Sequence, residues 1–336
     1  MMNVRKKLNV LHNRMLQVAS YGNRSPVSLG KPFAFQIEAT NYCNLRCPMC
    51  PHDLMEREVG YMSFDLFKRV IDEVRDYSTE VRLHNMGESL FHRQIDQLID
   101  YAKANGIKTV LSSNASALTE RAAIKILDAG LDELLISFDG ASKETYEFLR
   151  EGARYDKVLE KVEAFLALKE KRGARLPRVT MSLINLPMTQ SEIETFRARW
   201  EDRVDSVRIK PARNWDGSSA RINGLVNLRA ARPPESPCSW LWTSLVVLWD
   251  GRVVPCCMDY DAKAVLGNIN EKSLEQIFND EPMQELRRQH LENRVNESAL
   301  CRGCAWPTKM DGPLVKGISQ VMQGVSRAHE KRAQSV

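Results

Sequence analysis

Residues 33–50 read FAFQIEATNYCNLRCPMC. The first half is an apolar, strand-like run from Phe33 to Ala39. The second half sets Cys43, Cys47 and Cys50 in CxxxCxxC spacing on the loop that follows. Three thiolates on so short a loop can converge on one soft metal centre. A fourth local ligand is missing. For structural zinc, which closes four ligands, that is a defect. For a [4Fe–4S] cube it leaves one iron open to bind a substrate or cofactor. A zinc site completed by a distant ligand stays open as the alternative.

Outward from this stretch the pattern repeats. Strand candidates follow at Val81–Met86, Lys108–Ser112, Glu133–Phe138, Val179–Ile184 and Ser206–Lys210. Amphipathic stretches at Phe64–Tyr77, Ile95–Asn105, Arg121–Ala129, Tyr155–Lys171 and Ser191–Glu201 separate them. Ser63 and Thr119 suit helix N-caps, and Gly130 suits a helix C-terminus. Six βα units predict an α/β fold, a partial (βα)6 TIM-like barrel over residues 31–212 behind a helical lead over 1–30. Such folds carry their chemistry on loops after the carboxyl ends of the strands, where the three cysteines fall. A Pro/Gly/Arg-rich stretch, 213–236, reads as a linker. Residues 237–312 read as a small module, a β-hairpin around Asp250-Gly251 plus a helix from Ser273 to about Arg294. A weakly helical tail, 313–336, closes the chain.

The composition, 43% hydrophobic and 27% charged over 336 residues, is that of a soluble globular protein. A net charge of +5, gathered largely at the two ends, reads as solvated terminal helices and argues against nucleic acid as a partner. No signal peptide or membrane span is expected, which points to the cytoplasm. There thiols stay reduced, and the eight cysteines read as metal ligands rather than disulfides.

In these residues the sequence resembles the radical SAM family, whose open iron chelates S-adenosylmethionine (SAM) and whose chemistry starts from a 5′-deoxyadenosyl radical. Met86-Gly87-Glu88-Ser89, after the second strand, is similar to the family's GGEP segment; its first glycine and its proline are absent here. Ser113-Asn114 ends the third strand. Ser137-Phe138-Asp139-Gly140, with Tyr146 and Arg150 behind it, resembles the family's SxDG…Y…R run. The resemblance implies that Glu88, with Gly87, meets the SAM amino group and that Ser137 and Arg150 hold its ribose and carboxylate. It adds Asn114 to the cofactor contacts and puts Met49 where the family often has an aromatic contact to adenine. Read singly, Gly87 suits a turn, Glu88 a solvated carboxylate and Arg150 a helix-surface charge.

Cys238, Cys256, Cys301 and Cys304, spaced by 18, 45 and 3 residues, can close a metal site completely. Zinc fits that spacing too. The surrounding WDGRVVPCCMDYD…LGNI and CRGC resemble the twitch module, the short form of the SPASM extension of radical SAM enzymes. That resemblance implies one auxiliary [4Fe–4S] cluster held wholly by protein, so two clusters in all. Adjacent strand residues face opposite ways, so Cys257 is left over. It reads as a small buried residue, or as a hydrogen-atom donor.

The similarity extends to the twitch dehydrogenases of aminocyclitol and aminoglycoside antibiotic biosynthesis. It implies oxidation of a carbinol C–H to a ketone, the auxiliary cluster taking the electron. Flavodoxin or ferredoxin is the expected reductant and a sugar or aminocyclitol the expected substrate. Epimerisation through a cysteine donor is the alternative. The barrel stretch has no cysteine beyond its three ligands, and polar Ser182 takes one interior-type position, which favours dehydrogenation. Modification of a peptide is the third reading; the short segment before the first strand leaves no room for a peptide-docking domain. Arg221, 17 residues before Cys238, is the candidate to hold the substrate hydroxyl, with Lys210, Arg213, His84 and Glu38 as further contacts.

Overall fold

The computed structural model describes residues 4–226 and 237–304. The expected tail and the end of the expected auxiliary module, 305–336, lie outside the described residues, as does 227–236 of the expected linker. Six strands, β1 (Ala34–Ile37), β2 (Glu80–Arg82), β3 (Lys108–Ser113), β4 (Glu133–Ser137), β5 (Arg178–Asn185) and β6 (Ser206–Pro211), pair in parallel in sequence order. The sheet does not close, since β6 is its free edge; the partial barrel is the observed fold.

Helices cover the strands: α1 (Val4–Gly22), α2 (Phe64–Val74), α3 (Ile95–Ala104), α4 (Glu120–Asp128), α5 (Lys143–Leu149), α6 (Tyr155–Lys171) and α7 (Ile193–Trp200). On α2, Leu66, Phe67, Val70, Ile71 and Val74 are buried, the stripe a helix lays on a sheet. The Ser63 and Thr119 side chains accept from the N–H groups of Leu66 and Ala122. Gly130 takes φ +68° just past α4. Helix α1 is not simply solvated. It buries Val10, Asn13 and Gln17, and Tyr21 at its end meets Trp242 edge-on at 5.4 Å.

The expected linker is folded in its first half, where α8 (Ala220–Val226) forms. After α9 (Trp240–Thr243), the hairpin forms as β7 (Ser244–Val247) and β8 (Arg252–Val254), and β9 (Gly267–Asn268) adds to it. The hairpin is not a detached unit. β7 pairs in parallel with β1 along Ala34–Ile37, giving one nine-stranded sheet in the order β6-β5-β4-β3-β2-β1-β7-β8-β9. The helix expected over 273–294 is two: α10 (Leu274–Asn279) and α11 (Glu281–Leu291). Asp280 between them is extended and Pro282 sits in the first turn of α11, because a proline inside a continuous helix would clash with the preceding turn. Among the described residues no helix is long and apolar enough to cross a membrane.

Candidate functional site

A cavity of about 520 Å³ opens at the carboxyl ends of the parallel strands. Cys43, Cys47 and Cys50 form one wall, on a loop anchored from several sides. Glu88 N–H donates to Tyr42 O (2.7 Å), Arg46 N–H to Glu151 O (2.9 Å), and Trp215 Nε1–H to Met49 O (3.0 Å). His52 Nε2 lies 2.7 Å from Asn41 O. Gly87 has φ +82°, and a Cβ there would stand 2.6 Å from Asn41 C and Thr40 O, so the loop passes where a side chain cannot.

Below the loop lies a buried ion pair. Glu38 and Arg57, with side chains 0% and 2% exposed, meet through two bonds of 2.5 and 2.6 Å. Arg57 Nε also donates to Tyr260 O at 2.7 Å. Glu38 is therefore not a substrate contact. Its carboxylate joins the end of β1 to the cysteine loop, and it lies outside the cavity wall.

Every residue expected to touch SAM lines this one cavity: Met49, Gly87, Glu88, Asn114, Ser137 and Arg150. The Glu88 oxygens accept from Leu90 N–H (3.1 Å) and Asn114 N–H (2.6 Å), and burial pushes its carboxyl above the usual range. Each oxygen keeps a further lone pair for a ligand. Asn114 Nδ2 reaches Asn44 Oδ1 at 3.3 Å. Lys210 Nζ donates to Ser137 Oγ at 3.3 Å. Arg150 pairs with Asp139, whose other oxygen accepts from Ile184 N–H at 2.7 Å. Arg150 Nη1 approaches Cys47 Sγ at 3.8 Å. Among the described residues its buried Nε–H has no hydrogen-bond partner, an unmet donor of the kind a ligand carboxylate satisfies.

The thiols fit a soft metal group. Burial raises Cys43 to about 11 and Cys50 to about 12, and pushes Cys47 up as well. Such buried thiols ionise when a metal replaces the proton. Cys256 is driven well up by burial and by its neighbours Cys257, Cys301 and Cys238; Cys301 rises to about 12, with Cys238 and Cys304 adding to it. Cys238, Cys256 and Cys301 thus lie near one another, and Cys304 lies near Cys301 and Cys257. Among the described residues no three His, Cys, Asp or Glu side chains are gathered to share a single ion. A four-iron cube, whose thiolates sit on separate irons, asks for wider spacing.

Cys257, expected as a small buried residue or a hydrogen-atom donor, packs against the buried cluster of Val246, Leu248 and Val254. It is half-buried and lines the cavity with Met258, while Cys256 does not. The parallel β1–β7 pairing brings the turn after β8 to the cavity, where the consecutive residues Cys257 and Met258 both line the wall. Arg221 is placed beside the cavity rather than on its wall. It donates to both Asp53 oxygens (2.8 and 2.9 Å) and to Cys50 O (3.2 Å). Ser182 donates to Ile136 O, and Ile184 takes the lining position on β5. His84, Lys210 and Arg213 do line the cavity. His84 Nδ1 accepts from Ser112 N–H at 3.1 Å, and burial lowers the ring to about 3. A backbone hydrogen bond at Val110 opposes that lowering.

Sequence reasoning missed Trp215, Arg82 and Arg208 on the same wall. The signal for the arginines was present. Each stands two residues before an interior-type residue, His84 or Lys210, on the same face of its strand.

The sequence matches the Radical SAM superfamily over residues 37–198 and the SPASM iron-sulfur cluster-binding domain over residues 238–305. A relative from Niallia circulans, S-adenosyl-L-methionine-dependent 2-deoxy-scyllo-inosamine dehydrogenase, is 21% identical over 80% of this chain and 91% of its own. The crystal structure of BtrN in complex with AdoMet and 2-DOIA covers 81% of this chain and 92% of its own at 19% identity, TM-score 0.56. Streptococcus suis SuiB bound to precursor peptide SuiA covers 88% and 74% at 16% identity, TM-score 0.63. At these identities the structures share the fold.

Proposed function

From the premise that the chain belongs to the radical SAM superfamily and carries SAM and [4Fe–4S] clusters, we propose that it oxidises a carbinol C–H of a small polyhydroxylated molecule to a ketone. One observation carries this reading. A single cavity is bordered by Cys43, Cys47 and Cys50 on one side and by Cys257, next to the expected auxiliary ligand Cys256, on the other. When bound, the cofactors would supply a 5′-deoxyadenosyl radical to remove the carbinol hydrogen and an oxidised auxiliary cluster to accept one electron, while the hydroxyl proton would pass to solvent in the open cavity. Cys43, Cys47 and Cys50 hold the first cluster. Cys238, Cys256, Cys301 and Cys304 hold the second. Glu88 orients the SAM amino group, Arg150 its carboxylate and Ser137 its ribose. Gly87 and Asn114 set the backbone and amide around it, and Met49 and Trp215 flank the adenine. His84 Nε2–H donates to the substrate hydroxyl, an assignment that replaces Arg221, which stabilises the Cys50 loop through Asp53. The 2-deoxy-scyllo-inosamine dehydrogenase relative supports a cyclic polyol as substrate. We place the reaction in the cytoplasm, with flavodoxin or ferredoxin as electron donor.

The test is anaerobic turnover with SAM, reductant and a polyol deuterated at the carbinol carbon. Ketone and deuterated 5′-deoxyadenosine in equal amounts support the proposal; 5′-deoxyadenosine without ketone from any polyol contradicts it. Because Cys257 faces the cavity, epimerisation is a second reading. It requires solvent deuterium in an otherwise unchanged product and its loss in Cys257→Ala.

A further inference from the structure

The cavity wall away from the expected SAM contacts is cationic. β2 contributes Arg82; β6 and the loop after it contribute Arg208, Lys210 and Arg213. Arg82 ends β2 with His84 two residues on, and Arg208 and Lys210 share one face of β6; all four line the cavity, Arg82 and Arg208 at exposed positions. The charges are close enough to act on one another. Burial chiefly lowers Lys210, Asp139 opposes that, and Arg150, Arg208 and Arg213 lower it further; Arg82 and Lys210 add to the lowering of His84.

Two carboxylates on the wall, Glu88 and Asp139, stand against Arg82, Arg150, Arg208 and Lys210. Glu88 is assigned above to the SAM ammonium, and Asp139 is paired with Arg150 and accepts from Ile184 N–H. Arg82 meets Glu80 at 3.3 Å, but both side chains are over a third exposed, and such a pair is screened by water. SAM does not supply the missing charge, since its sulfonium and ammonium outnumber its one carboxylate. The cation that acts on Cys43, Cys47 and Cys50 is Arg150.

We propose that the substrate carries an anionic group, a phosphate ester or a carboxylate, bound by Arg82, Arg208 and Lys210 on the cavity wall. The inference rests on this cavity being the substrate site of the reaction proposed above, and it turns the expectation away from an amine-bearing aminocyclitol. Two guanidiniums and an ammonium suit a multidentate oxyanion, and a substrate ammonium placed there meets like charge.

The test is equilibrium binding to the reconstituted holoenzyme with SAM bound, using glucose 6-phosphate, gluconate, glucose and glucosamine as probes. One or both anions are expected to bind about tenfold or more tighter than glucose, with glucosamine weakest. The better of the two anions identifies the source of the charge. Arg208→Gln and Arg82→Gln each reduce that preference, and Arg208→Lys restores part of it. Glucosamine binding as tightly as the anions overturns the proposal, and so does absence of saturable anion binding at millimolar concentration. The wild-type comparison decides even where a variant fails to fold. Ketone formation is read separately, so failure of the oxidation reading shows as missing product with anion preference intact.

Discussion

Replacing Arg57 by Met tests whether the buried pair beneath the cysteine loop supports the site. The substitution keeps an aliphatic stem of similar length and removes both bonds to Glu38, 2.5 and 2.6 Å long, and the bond to Tyr260 O. Glu38, 0% exposed, is left with longer contacts from Asn85 Nδ2 (3.3 Å), Met86 N–H (3.3 Å) and Trp249 N–H (3.4 Å). An uncompensated buried carboxylate of this kind costs about 3–5 kcal/mol, or about two to three and a half decades in the folding equilibrium. Adding Glu38→Gln removes the charge and keeps an acceptor for those N–H groups, so the double variant recovers at least half of the loss. The assay is anaerobic urea unfolding of the metal-free protein, which excludes any contribution from cluster binding. A loss below about 1 kcal/mol, the worth of an exposed pair, with no recovery in the double variant refutes the reasoning.

Gly87→Ala forces a Cβ at φ +82° to within 2.6 Å of the Asn41 and Thr40 backbone. We expect a loss of at least about 1–2 kcal/mol from the left-handed conformation, together with sub-stoichiometric iron on reconstitution; wild-type stability and iron content contradict the account. His84 titrates near 3 in the fold against 6.5 unfolded, so the unfolded state takes up the extra proton between those values. Stability therefore falls as pH drops from 6.5 toward 3, by about 1.4 kcal/mol per unit from this ring, and is flat from it above 6.5. His84→Asn, which keeps an acceptor for Ser112 N–H, removes that share of the slope in urea titrations at several pH values. Cys257→Ala keeps ketone formation within a few-fold of wild type if the auxiliary cluster is the electron acceptor, whereas loss of all product conversion favours the cysteine as donor.

The barrel was legible because its signals are local. Period, caps at Ser63 and Thr119, and the CxxxCxxC loop after Phe33–Ala39 each reside within a short window. The β1–β7 pairing was not legible, because Ala34–Ile37 and Ser244–Val247 are distant in sequence and strand pattern carries no information about a partner. That pairing also decides the place of Cys257, so its opening into the cavity was hidden with it. Pro282 marked the break between α10 and α11, but the amphipathic pattern running across it obscured the signal. The SAM-contact residues were readable as strand-end polar groups. Arg82 and Arg208 carried the same register signal as His84 and Lys210, but both are exposed, and a charged exposed strand residue is ordinarily assigned to solvent alone. Glu38 failed as a substrate contact for a related reason: nothing local indicates that Arg57 will neutralise it.

The most direct test of the central claim is iron and sulfide per chain after anaerobic reconstitution, with 5′-deoxyadenosine measured in the same sample. About eight irons and reductant-dependent 5′-deoxyadenosine are predicted for two [4Fe–4S] clusters on the front and back cysteines. About four irons with zinc bound contradicts the account, because it leaves the substrate radical without its electron acceptor.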